Sequence, residues 1–385
     1  MSTTVSGSAG DGPVKNGKVS VLDANGSNVI TTPANPSTGL NAQFNFTVPS
    51  GTALPLTITV TGGVDMVTNA LQDFPLRTAV TTLPASGTVT GNANPLSTLA
   101  VASAEAQPGG LSAANLTTAT NNVLGAMGFG LAAGINPLST TVNNSNAASI
   151  VRASEAAAEL IRRTSNASGG TLSNTILSIA QDLTDGAVDG NAAAGAAATQ
   201  VSNTSASQIL NQQAQVSAET LANNLTVTTP AGTPIPSASG VNFATTLNTS
   251  ITTTGHTGNV SKQAPTQAFL DQTRAAIHIA NTLAGGTDPA LISLSGSINT
   301  LTAGTAPSTV QQNNPAELTN NAVASFTTAT TAAADPVAAT TALATVAADT
   351  TKPVITLNGV TPVTVEAGAA YIDAYTTVRD NVDAT

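Results

Sequence analysis

Asn94-Pro95-Leu96-Ser97-Thr98 divides the sequence. Before it, apolar residues alternate with polar ones; after it, they recur every three or four positions. Asn is a favoured helix N-cap, and Pro at the first helical position has its φ preset and no N–H to lose. The string therefore reads as a helix entry, and as the boundary between a β region, 1–93, and a helical region, 94–348. The same five residues return at Asn136-Pro137-Leu138-Ser139-Thr140, and Asn314-Pro315 repeats the first two. These read as a recurring helix-entry motif rather than as a solenoid repeat.

Upstream of the boundary, Val14 to Leu22 runs into Asp23-Ala24-Asn25-Gly26, an Asn-Gly turn. Ala42 to Val48 alternates with period two, and Leu54, Leu56, Ile58 and Val60 alternate again before Gly62-Gly63. Phe74 to Leu83 and Thr88 to Thr90 supply further strands. The spacing predicts an antiparallel β-sandwich.

Downstream, Ser112 caps a helix carrying Leu116, Ala119, Val123 and Met127, stopped by Gly128. An Ala-rich helix spans 145–165. Leu172, Ile176, Ile179 and Leu183 form a stripe spaced four, three and four, ended by Gly186. Further helices are expected over 192–225, from Pro265 to Leu283, over 289–301 and over 315–348. Residues 226–262 are rich in Thr, Gly, Pro and Ser and read as an insertion with some β character or a surface excursion, Val241 to Ile251 being a short strand or loop. The expected class is α+β, with a helical bundle whose contacts are made by small residues.

Composition narrows the chemistry. Of 385 residues, 68 are Ala and 64 Thr, with no Cys and no Trp, so thiolate ligands, disulfides and a Cys nucleophile are excluded. Only 8% are charged, with 10 Lys+Arg against 20 Asp+Glu. That balance argues against a nucleic-acid partner, and no apolar run is long enough to cross a membrane. So little charge implies a surface of Thr, Ser, Asn and Gln, as on exported bacterial proteins.

Two segments resemble known modules. Gly12-Pro13-Val14, Val19 to Asp23, Gly39 to Val48 and Pro49-Ser50-Gly51 resemble the carboxypeptidase-regulatory-like, or prealbumin-like, β-sandwich. That family is not itself peptidolytic, and the resemblance implies a spacer or binding module. Asp349 to Gly359, Pro362 to Gly368, Tyr371-Ile372-Asp373 and Asp380 to Asp383 resemble the first half of a bacterial immunoglobulin-like domain of the tandem type. This implies that 349–385 is a truncated domain, poorly packed alone, whose missing strands come from further sequence or from another chain.

Candidate reactive groups are few. His256 sits in a loop and His278 on a helix, and neither has a nucleophile and acid nearby in sequence. Glu155, Glu159, Arg162 and Arg163 form the densest charge cluster. They read either as a carboxylate pair for acid–base work or, preferably, as a solvated helix face with pairs at i,i+3 and i,i+4. Two acidic groups are candidate Ca²⁺ ligands: Asp182, Asp185 and Asp189 around a Gly turn, and Asp349, Asp380 and Asp383 near a domain junction. No other cofactor is indicated.

The reading is a noncatalytic segment of a secreted or cell-surface bacterial protein. Its expected partners are other surface proteins, glycans or copies of itself. One alternative is a filament subunit completed by strand donation. Another is a glycan hydrolase, which needs two facing carboxylates.

Overall fold

The computed structural model describes residues 2–188, 190, 192–196, 203–228, 243–283, 292, 295, 298, 301, 303–306, 354–357 and 376–379. Among them the order is mixed α+β. Eight strands come first: β1 (Ser2–Ser8), β2 (Val14–Lys15), β3 (Lys18–Leu22), β4 (Gln43–Pro49), β5 (Leu56–Thr61), β6 (Val64–Asp65), β7 (Leu76–Val80) and β8 (Thr88–Thr90). Seven helices follow: α1 (Pro95–Ala106), α2 (Ala113–Met127), α3 (Ala147–Ser168), α4 (Leu172–Asp182), α5 (Asn203–Leu221), α6 (Phe243–Thr253) and α7 (Gln267–Leu283). A last antiparallel pair joins β9 (Val354–Leu357) to β10 (Thr376–Arg379).

The strands make two three-stranded sheets, β4-β1-β8 and β3-β5-β7, and the small pair β2-β6. Alternation places Val19 and Val21 of β3, Phe44, Phe46 and Val48 of β4, and Leu56, Ile58 and Val60 of β5 in the interior. The first sheet is not purely antiparallel as expected: β8 pairs parallel to β1, Val5 opposite Val89. Strand β1 itself escapes the pattern because Ser2–Ser8 has one large apolar residue, Val5. It is held instead by a seven-residue register with β4. Gly7 is fixed by space, since a Cβ there would collide with the Gly91 carbonyl and the Phe44 ring.

Asn94 begins α1 with a capping box: its Oδ1 accepts from Ser97 N at 2.9 Å, and Ser97 Oγ accepts from Asn94 N at 2.8 Å. α1 packs on β7, α2 and α4. Ser112 caps α2 as expected, and Leu116, Ala119, Val123 and Met127 are buried. One apolar cluster runs from Val5 through Phe46, Ile58 and Leu99 to Ile161 and Phe269, so strands and helices share a core.

Three expectations are corrected. Asn136 to Thr140 does not start a helix; residues 137–139 form a turn. Residues 243–253 are helix α6 rather than strand or loop, with Phe243, Ala244, Leu247 and Ile251 buried at helical spacing. Val227 and Thr228 are buried and Thr228 makes a β-bridge, so the start of the 226–262 segment enters the interior with some β character rather than as a surface excursion. Expected helices over 289–301 and 315–348 fall largely or wholly outside the described residues.

The fourth correction concerns α3. It is buried on every side from Val151 to Ser165, so it has no wet face for its charged stripe. Its Ala and Ser residues let α4, α5, α6 and α1 approach closely, and α3 becomes the central helix. Burial of every face forces Arg152, Glu155, Glu159, Arg162 and Arg163 inside.

Candidate functional site

Because α3 has no exposed face, its charged residues must find partners in the elements around it. Arg162 reaches the β region. Its guanidinium pairs with Asp11 in the turn after β1, and bidentately with Asp73 ahead of β7, at 2.7 and 3.1 Å. It also donates to Glu159 at 3.1 Å and lies 5.8 Å over the Phe74 ring. Arg163 turns the other way. It donates bidentately to Glu219 of α5 at 2.9 and 2.7 Å, to Glu159 at 3.2 Å, and to the Thr226 carbonyl.

Glu159 joins the two guanidinia. It also accepts from Thr228 N at 3.0 and 3.1 Å and from Thr228 Oγ1 at 3.0 Å. A chain of charge-assisted bonds thus ties the β region to α3, α3 to α5, and both to residues 226–228. Bidentate geometry suits Arg over Lys at both positions. Two turns before Glu159, Arg152 donates to Asn223 Oδ1 at 3.1 Å and to the Gln263 carbonyl at 3.4 Å. Burial lowers its pKa to about 10, which leaves it charged at neutral pH.

The carboxyls at the β end of this chain and beside it are poorly compensated. Burial raises Asp11 to about 7; Arg162 opposes that, while Asp65 and Asp73 add to it. Burial also raises Asp65, against hydrogen bonds from Thr68 and from the Val67 and Thr68 amides. Glu155 is raised well above its ordinary value, first by burial and then by Asp65 and Asp11. Arg162 and Arg163 lose by burial but are held above their ordinary values by Asp11 and Asp73 and by Glu219 respectively.

A cleft of about 510 Å³, open solvent at its mouth included, lies where β1 and β4 meet the start of α3. Asp11, Gly12, Asn41, Gln43, Ser154 and His256 contribute to its lining. His256 is in a loop as expected; its Nδ1 lies 3.1 Å from Thr254 Oγ1 and its Nε2 3.3 Å from the Val142 carbonyl. His278 is on α7 and exposed. The ring nitrogens of His256 are thus placed against Thr254 and Val142 rather than against the carboxyl cluster.

The expected calcium groups fare differently. Asp182 is buried and accepts from Gly190 N at 2.9 Å, whereas Asp185 is exposed and accepts from Ala187 N at 3.0 Å. Asp189, Asp349, Asp380 and Asp383 lie outside the described residues. Among the described residues, no group of three or more His, Asp or Glu is arranged to hold a metal ion.

Sequence reading found four members of the junction, Glu155, Glu159, Arg162 and Arg163, but placed them in solvent. It missed Asp11, Asp65, Asp73 and Glu219. One signal was available: in a chain with so little charge, two adjacent Arg on an Ala-rich helix need acids from elsewhere. Comparison with protein-family models, with curated proteins and with solved structures found no match to this chain.

Proposed function

We propose that the chain is a noncatalytic segment of a secreted bacterial surface protein, serving adhesion or surface scaffolding. In this reading residues 1–93 form a β-sandwich module, 94–348 a small-residue helical bundle, and 349–385 the start of an immunoglobulin-like unit. One observation carries it: among the described residues, much of the charge is withdrawn inside, although Lys18, Glu105, Asp185, Lys262 and Asp271 stay exposed. Asp11, Asp65, Arg152, Glu155, Glu159, Arg162, Arg163 and Glu219 are all buried. What remains outside is dominated by neutral Thr, Asn, Ser and Gln, a surface suited to hydrogen-bonded contact with glycans or with similar proteins.

The same withdrawal weakens the hydrolase reading. Glu159 and Glu219 are occupied by guanidinium groups, and Glu155 is closed from solvent. The reading is tested by binding labelled protein to intact cells and to immobilised glycans across about 0.05–0.5 M salt. Neutral contacts predict binding that changes little over that range. Binding lost at high salt, glycan cleavage, or confinement of the protein to the cytosol of its host would remove the reading.

A filament subunit is the second reading. The pairing of β9 with β10 favours it, since among the described residues these two strands pair only with each other, leaving each an edge to which a donated strand can add. Negative-stain images showing only monomers at high concentration would end it.

A further inference from the structure

Glu155 lies one helical turn before Glu159, yet the ionic chain does not reach it. It is wholly buried, and neither of its carboxyl oxygens meets a donor among the described residues. It faces Asp11 from the turn after β1 and Asp65 from β6, with Glu159 and Arg162 on its own helix. Asp11 Oδ1 is likewise without a donor, its other oxygen being engaged by Arg162. A Cβ on Gly12 would collide with both Asp65 Oδ1 and Glu155 Oε1, so these two carboxyls converge on one backbone atom from different elements.

The charges do not close. Arg162 is the cation of this cluster and is already shared among Asp11, Asp73 and Glu159. Among the described residues, Asp65 is satisfied by its own loop alone, through Val67 N, Thr68 N and Thr68 Oγ1. Three carboxyls therefore face one another with part of one guanidinium between them. Bound protons resolve both problems at once, since a neutral carboxyl removes a charge and turns an acceptor without a partner into a donor.

We propose that Asp11, Asp65 and Glu155 form a proton-binding site, in which Glu155 is held as the neutral acid and the docking of the β region on α3 is strengthened by acid. Burial shifts all three groups in the direction this requires. The sign follows from linkage. Carboxyls that hold protons more tightly folded than unfolded contribute stability at low pH and lose it as pH rises through their folded values. The window opens at the ordinary carboxylate range and, for Asp11, extends to about 7.

The experiment is urea unfolding of the full chain from pH 5 to pH 8, comparing wild type with Glu155→Gln and Asp11→Asn. For each excess proton held by the folded chain, the unfolding constant grows by up to about tenfold per pH unit. Gln copies the neutral acid, so Glu155→Gln is expected to match wild type at pH 5, exceed it at pH 8, and show a slope shallower by about one proton. Asp11→Asn is expected to flatten the slope in the same way, and it decides the matter if Glu155→Gln does not fold. Unchanged slopes in the variants that fold, or a Glu155→Gln less stable than wild type at pH 8, would overturn the proposal. So would stabilisation of wild type at pH 8 by added Ca²⁺ that Glu155→Gln abolishes, because the cluster would then be a cation site.

Discussion

Asn94–Thr98 and Asn136–Thr140 are the same five residues with different structures, and they touch. Each begins alike: the Asn94 carbonyl accepts from Thr98 N at 2.8 Å, and the Asn136 carbonyl accepts from Thr140 N at 2.9 Å. After the first string come Leu99 to Ala106, good helix formers whose apolar members are buried, and the turn continues into α1. After the second come Thr141, Val142, Asn143 and Asn144, β-branched or turn-forming residues that do not propagate a helix. The second string therefore keeps carbonyls free, and the first region uses them. Asn94 Nδ2 donates to the Pro137 carbonyl at 2.8 Å, Asn92 N to the Leu138 carbonyl at 2.7 Å, and Asn92 Nδ2 to the Thr140 carbonyl at 2.8 Å. A capping string specifies one turn; the residues beyond it decide whether that turn becomes a helix or a docking surface for the other copy.

Substitution at matched positions breaks or sharpens this contrast. Asn94→Ala carries the largest expected effect. It removes the cap on Ser97 N and the bond to the Pro137 carbonyl, both buried, and no water replaces them readily. A loss of about 2–4 kcal/mol in urea unfolding is expected. Ser97→Ala comes next. Ser97 Oγ accepts from Asn94 N and donates to the Arg77 carbonyl at 2.6 Å, so its removal uncaps α1 and loosens α1 from β7, at about 1–2 kcal/mol.

Asn136→Ala should cost less than Asn94→Ala, about 0.5–1 kcal/mol. Asn136 is exposed, and its Oδ1 accepts from Leu138 N at 2.9 Å only to shape the turn. Were the two Asn substitutions equal in unfolding free energy, the second string would be contributing through its cap rather than through its carbonyls, and the contrast would fail.

The same contrast explains what the sequence discloses and what it does not. Strands β3, β4 and β5 and helices α2 and α4 are legible because each pairs a buried stripe with polar neighbours, as Val19 and Val21 or Ile176 and Ile179 do. β1 is hidden because its position depends on two partner strands and not on its own pattern. The ionic junction is hidden for a related reason. A charged stripe on a helix looks the same whether water or other elements cover it, and only the approach of Asp11, Asp73 and Glu219, far away in sequence, shows which. Glu155 illustrates the limit best: its spacing to Glu159 is ordinary, and what distinguishes it is the lack of any donor once the chain has folded.

The smallest expected effect makes the sharpest test. Ser139 occupies in the second string the place that Ser97 occupies in the first, but it is exposed, and among the described residues only its backbone N–H is engaged, donating to the Asn136 carbonyl at 3.2 Å. Ser139→Ala is expected to leave the unfolding free energy within about 0.5 kcal/mol of wild type. The reason is positional: in α1 the third residue closes a capping box and bonds to a strand, whereas in the turn 137–139 the same hydroxyl faces water. If Ser139→Ala instead cost about as much as Ser97→Ala, the pentapeptide would carry its stability wherever it is placed, and the residues after it would not be what separates a helix from a turn.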